Sequence, residues 1–156
     1  MKKISLLLLT TLMALCLFTA CESDEDNDNP AALIGKWKFV GDDVVVRTSD
    51  KEADRMIMID FEAYLEWEKD PTSIEFTTIG TFFVDNELSG TYTVEGNKMY
   101  LKYKTETIEG EFKVKDGNLS VSRSFLSYYE DEQRHNMPID DDVKIHEVSH
   151  VQYYSK

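Results

Sequence analysis

Cysteine is almost absent from this chain. Two stand among 156 residues, Cys16 and Cys21. The long region beyond Cys21 therefore has neither a disulfide framework nor thiolates to clamp a metal. Proline occurs three times and glycine seven, too few for a collagen-like or low-complexity chain. Basic side chains are scarce as well: 17 Lys and Arg face 30 Asp and Glu, a formal net charge of −13. Such a balance repels nucleic acid and anionic membrane surfaces, so DNA and RNA are set aside as partners. No apolar run reaches the roughly 20 residues that a spanning helix needs. The motifs of catalysis are missing too. There is no Gly-rich phosphate loop, no nucleophile motif and no metalloprotease helix, so no catalytic residue and no cofactor is nominated. The expectation is a protein that is not an enzyme.

What is present begins with three zones at the N-terminus. Lys2 and Lys3 carry positive charge, Ile4 to Phe18 form an apolar run, and Thr19-Ala20-Cys21 follow. That is the layout of a secretory signal peptide. Phe18-Thr19-Ala20-Cys21 resembles a lipobox, where the lipoprotein signal peptidase cuts before a cysteine carrying diacylglycerol. Phe18 departs from the usual Leu, and Cys16 fits less well because Leu15 before it is bulky. The resemblance implies that residues 1–20 are removed and that Cys21 is the lipidation site. Each buried CH₂ of an acyl chain contributes about 0.8 kcal/mol, so several chains on one cysteine hold a protein to a membrane without a helix.

Residues 21–32 then form the lipidated cysteine and an acidic tether. Glu22-Ser23-Asp24-Glu25-Asp26-Asn27-Asp28-Asn29-Pro30 is too polar to bury itself. Its alternating Asp residues lack the sixth-place Gly and twelfth-place Glu of a calcium loop. The run also resembles the Ser/Asp/Glu export signal of lipoproteins from Gram-negative gut anaerobes. That likeness implies an outer-membrane, cell-surface location.

Cleavage would leave 136 residues, with 15 basic against 30 acidic side chains because Lys2 and Lys3 depart. This is one domain, residues 33–156, long enough to be stabilised by a packed core. Its pattern is mostly period two. Leu33, Gly35, Trp37 and Phe39 share a strand face, and Val44-Val45-Val46 suggests a short second strand. Ser49-Asp50-Lys51-Glu52 reads as a capping box, and helical spacing from Ala53 to Leu65 predicts a helix over about 50–69. Strands are expected at 74–78, 80–84 and 89–95. Cleaner alternation follows around Met99–Tyr103, Ile108–Val114 and Leu119–Phe125. Turns fall at Glu95-Gly96-Asn97-Lys98 and Lys115-Asp116-Gly117-Asn118. Residues 127–142 read as a long acidic loop, and 143–154 as a closing strand. The fold class expected is mainly β: an antiparallel up-and-down β-barrel of about eight strands, with one helix after the first strands. Eight strands leave room for side chains or one small ligand.

"LIGKWKFV", "GTFFV" and "GTYTVEGNKMYLKY" together resemble the lipocalin-like (calycin-type) lipoproteins of Gram-negative gut anaerobes, over roughly residues 33–125. Gly35-Lys36-Trp37 matches the Gly-x-Trp of that family's first strand. In lipocalins this Trp closes one barrel end beneath an Arg from a late strand. The resemblance therefore implies Gly35, Trp37 and Arg123 as barrel-closing residues. An inward Arg that does not reach Trp37 needs another partner, and an anionic ligand would be one.

Phe76, Tyr92, Tyr103, Phe112 and Phe125 face inward and either line a ligand cavity or fill it; filling is the ordinary role in a small barrel. Few polar groups are evident on the inner face, which suits an apolar or amphipathic ligand better than a sugar. His146 and His150 lie four apart in a strand, share a face about 13 Å apart, and so cannot share one metal ion. Two readings follow. The first is a membrane-anchored binding module for a small apolar or amphipathic ligand. The second is a filled barrel that docks on another envelope protein through 126–142, with Tyr128 and Tyr129 exposed.

Overall fold

The computed structural model describes residues 29–66, 69–133 and 136–156. The expected signal peptide, Cys21 and most of the tether lie outside them. The described chain opens with a short helix α1 (Pro30–Leu33), capped by Asn29, whose side chain accepts from Ala31 N. Strand β1 (Gly35–Thr48) follows, then helix α2 (Lys51–Leu65). The remaining strands are β2 (Ser73–Phe76), β3 (Thr81–Val84), β4 (Glu87–Glu95), β5 (Lys98–Lys102), β6 (Thr107–Lys115), β7 (Asn118–Ser124) and β8 (Ile145–Ser155). Each strand pairs antiparallel with the next, and β8 returns to pair with β1. The expected mainly β, up-and-down barrel with one early helix is therefore the architecture found, the helix following the single long strand β1. Each strand thus has two neighbours, although β1 beyond Lys38 pairs with β8 alone.

Four local expectations change. Leu33 belongs to α1, not to a strand, and is fully buried. Val44-Val45-Val46 is no separate strand, because β1 continues past an irregularity near Gly41 and pairs with β8 from Lys38 to Thr48. The cap of α2 is Asp50, whose carboxylate accepts from Glu52 N and Ala53 N at 2.9 Å each. Ser49 is taken instead by β8's approach: its hydroxyl accepts from Lys144 N and its own N–H donates to Lys144 O. Finally, α2 stops at Leu65, short of Lys69.

Two apolar cores result. The first fills one end of the barrel with Leu33, Trp37, Phe76, Phe82, Phe112 and Leu119, joined by others. Trp37 is fully buried and its indole N–H donates to Leu33 O at 2.7 Å. This bond locks α1 across the barrel end. Gly35, between α1 and β1, sits at φ +122°, which only glycine adopts without strain. The second core lies between α2 and the far end of the β1–β8 pair. Ala53, Ile57 and Phe61 form the buried face of α2, against Phe125, Tyr129, Ile139, Ile145 and Val148. Each such large side chain, fully buried, stabilises by about 1.5–3 kcal/mol.

The hairpin turns carry the backbone that their residues favour. Asp116 and Gly117 both have positive φ, as do Asp85 and Asn86 between β3 and β4. Asp85 has a further role. Its carboxylate accepts from the backbone N–H of Thr72 and Ser73 and from the Thr72 hydroxyl, at 2.6–2.9 Å. That ties the segment after α2 to the β3–β4 turn. The Thr72 hydroxyl, followed by the backbone donors, holds the Asp85 carboxyl below the usual carboxylate range.

Candidate functional site

Between the two cores the barrel is not filled. A cavity of about 290 Å³ lies inside it, lined by Ile74, Val84, Met99, Leu101, Val121 and other inward residues. These side chains come from β2, β3, β5 and β7, where alternation along the strands places them on the inner face. Lys69, Pro71 and Asp85 also line it, from the segment after α2 and the β3–β4 turn. Phe61 of α2 comes near the same region, its ring 4.7 Å from Phe125 and 6.3 Å from His150. The helix thus packs at the barrel end where Arg123 and His150 stand.

Of the five aromatics expected on the inner face, Tyr103 and Phe125 line the cavity. Phe76, Tyr92 and Phe112 pack in or against the closed end. Phe76 meets Tyr92 edge-on at 5.0 Å, and the Tyr92 hydroxyl donates to Thr77 O. One set of residues therefore plays both roles.

The expected contact between Trp37 and Arg123 is replaced by two others. The ammonium of Lys156, the C-terminal residue, lies 4.7 Å over the Trp37 ring. Arg123 lies 4.6 Å over Phe125. The reason is register. Trp37 stands near the start of β1, opposite Ile74, whereas Arg123 pairs with His150 near the other end of β7. Residue 119, not 123, reaches the Trp37 end, and there it is the buried Leu119.

The inner face is also more polar than the sequence suggested. His150, Gln152 and Tyr154 of β8 alternate inward and line the cavity with Arg123. His150 is buried and its Nε2 lies 2.7 Å from Asp42 Oδ2, which fixes that ring nitrogen as the donor to the carboxylate. The Tyr154 hydroxyl donates to Gln152 Oε1 at 3.0 Å. Burial, then neighbouring Tyr103 and the carboxylates of Asp70 and Asp85, push the Tyr154 hydroxyl well up. Burial likewise raises Tyr103, helped by Glu106 and opposed by Arg123. Both phenols are neutral donors at neutral pH.

His146 and His150 do lie in one strand but do not share a face. A register shift between Arg47 and Thr48 opposite Ile145–Glu147 interrupts the alternation, leaving His146 exposed and His150 buried. Among the described residues no three His, Cys, Asp or Glu side chains gather as a metal site would need. His135 lies outside them. The acidic loop is more structured than expected. Tyr128–Gln133 form a π-helical turn, and Tyr129 is buried with its hydroxyl donating to Asp60 at 2.8 Å. Tyr129 is therefore not available to dock a partner. Asp42, Lys69, Gln152 and Tyr154 were not singled out from the sequence, and His150 was weighed only as a metal ligand, not as part of the cavity wall. The alternation His150-x-Gln152-x-Tyr154 was the signal that could have found the last two.

No protein-family model, no curated protein and no solved structure matches the chain at a significant level.

Proposed function

We propose that the protein is an extracytoplasmic binding module, a lipocalin-like barrel that holds a small amphipathic ligand inside. The cavity of about 290 Å³ carries this reading. It stands at the lower edge of the range of small-molecule pockets, roughly 300–1,000 Å³. Taking the ~30 Å³ of a liquid water molecule as a unit, it has room for on the order of ten non-hydrogen atoms. Apolar walls from Ile74, Met99, Leu101 and Val121 meet a polar group of Arg123, Gln152 and Tyr103. Such a lining suits a ligand with an apolar body and a polar head.

Native mass spectrometry of the tagless protein after incubation with cell extract tests this. A co-purifying small molecule is expected, and its loss in Val121→Phe, which fills the cavity from its wall, ties it to this site. Repeated absence of any bound molecule removes the reading.

The same proposal places the barrel on a membrane by lipid on Cys21, at the cell surface of the outer membrane, with the acidic run as its tether. The lipobox-like Phe18-Thr19-Ala20-Cys21 supports that placement. Cys21→Ala is expected to move the protein from the membrane to the soluble fraction. Unchanged membrane retention contradicts lipidation.

A further inference from the structure

One stretch of the barrel wall keeps an open edge. β2 meets β1 only over Gly35–Lys38. Just beyond, the Phe39 N–H donates to Thr72 O, and at the far end of β1 the Thr48 N–H donates to Asp54 Oδ1. Between these two bonds β1 pairs with β8 on one side. On the other side, among the described residues, no group bonds its backbone from Val40 to Arg47. In an antiparallel ladder alternate residues turn their N–H and C=O away from the neighbour, so this edge presents a row of unpaired donors and acceptors. Val44 and Val46 turn inward to the core beneath α2. Alternation then turns Asp43, Val45 and Arg47 outward, with Asp43 and Arg47 exposed.

Charge of one sign along such an edge would repel every copy of itself. Here the outward charges differ in sign, and their spacing selects one pairing. An antiparallel pair opposes residues that turn their backbone groups to each other, so a two-fold axis between two β1 edges passes through a residue and its own copy. With the axis at Val45, Asp43 of each copy stands opposite Arg47 of the other, and Val44 opposite Val46. An axis at Asp43 sets two carboxylates together, and one at Arg47 sets two guanidiniums together. Axes at Val44 or Val46 leave both charges opposite uncharged residues. Opposite charges directly across a strand pair attract, and like charges repel. Within its own chain Arg47 reaches Glu147 at 3.4 Å with its side chain 72% exposed, a contact too weak to keep it from a second acid.

We infer that a second copy of this chain adds to the open edge of β1, antiparallel about Val45. The two barrels then share one continuous sheet, with an Asp43–Arg47 pair on either side of the axis. The surface lies outside the barrel, so it operates whether or not the cavity holds a ligand. The edge is short and the net charge of −13 opposes association, so the dimer is a weak one.

Sedimentation equilibrium of the purified protein from about 10 µM to about 1 mM is expected to show monomer and dimer in exchange, with dimer prevailing at the top of the range. Arg47→Glu turns both attractions into repulsions and should weaken the dimer about tenfold or more. Asp43→Lys combined with Arg47→Glu exchanges the signs and should return the dimer to within about threefold of the unaltered chain. Folding of each variant is checked by its thermal melt. Amide hydrogen exchange on the unaltered chain locates the contact without mutation, so it stands even where a variant does not fold. Raising the protein concentration should slow exchange within Gly41–Arg47 and leave the other strands unchanged. A chain that stays monomeric to about 1 mM overturns the inference and leaves the edge to a strand from another protein. A dimer indifferent to Arg47→Glu, or one that the double variant does not restore, overturns the pairing about Val45. Exchange slowed elsewhere, with Gly41–Arg47 unchanged, overturns the choice of surface.

Discussion

Truncating Phe61 to alanine removes the side chain that fastens α2 to the barrel. Its ring is almost fully buried and meets Phe125 at 4.7 Å, Tyr129 at 5.9 Å and Tyr64 at 6.0 Å. Losing a buried Phe forfeits its transfer energy and leaves a void, about 3–5 kcal/mol together. Its aromatic contacts add about 0.5–1.5 kcal/mol per pair beyond area, so the upper part of that range is expected. Domains of this size hold about 5–15 kcal/mol in all, so Phe61→Ala should be folded but marginal. Ile59→Ala is the control on the same helix. Ile59 is 53% exposed, and its loss should change stability by less than about 0.5 kcal/mol. Urea unfolding followed by far-ultraviolet circular dichroism measures both, with the midpoint falling for Phe61→Ala and the slope unchanged. A loss under about 1 kcal/mol for Phe61→Ala would refute the packing of α2 against the barrel end. So would equal losses for both variants.

Further outcomes follow from single positions. A Cβ on Gly90 would lie 2.0 Å from the Lys102 carbonyl oxygen, whereas one on Gly41 meets nothing within 4 Å. Gly90→Ala should therefore cost at least about 3 kcal/mol, the top of the overpacking range, and Gly41→Ala less than about 0.5 kcal/mol, by urea unfolding. Asp85 has its carboxyl pKa lowered in the folded state, first by the Thr72 hydroxyl. Its stabilisation is thus fully present above the unfolded value, about 4, and is lost as pH falls through the folded one. Asp85→Asn, which keeps a residue tolerant of positive φ, should unfold earlier in urea than the unaltered chain at pH 7. The two midpoints should converge at low pH; a constant gap across that range would contradict the assignment.

Strands were legible where one face meets the core and the other meets water. β6 alternates buried and exposed almost without fault, and its inward Phe112 and Val114 could be read directly. β1 and β8 were harder for a physical reason. Both carry register shifts, near Gly41 and near His146, and each shift resets which residues face inward. In β8 the apolar Val151 and Tyr153 are absent from the cavity wall, while the polar His150 and Gln152 line it. Polar residues turned inward defeat a pattern argument that takes inward to mean apolar. The helix cap shifted by one residue because Ser49 had a stronger long-range partner in Lys144, which local spacing does not contain. Arg123 was found as an inward charge, but its neighbours depend on pairing between β7 and β8 across a long connection.

The central claim is that a small ligand enters the barrel and rests against Arg123. Amide and side-chain chemical-shift mapping on titration with octan-1-ol, a small amphipathic probe, tests it most directly. The account predicts saturable shifts at Leu101, Tyr103, Val121, Arg123 and Gln152, with the outer serines Ser120 and Ser122 moving little. Shifts spread over the outer face, or none at concentrations that saturate an ordinary small-molecule site, would contradict it.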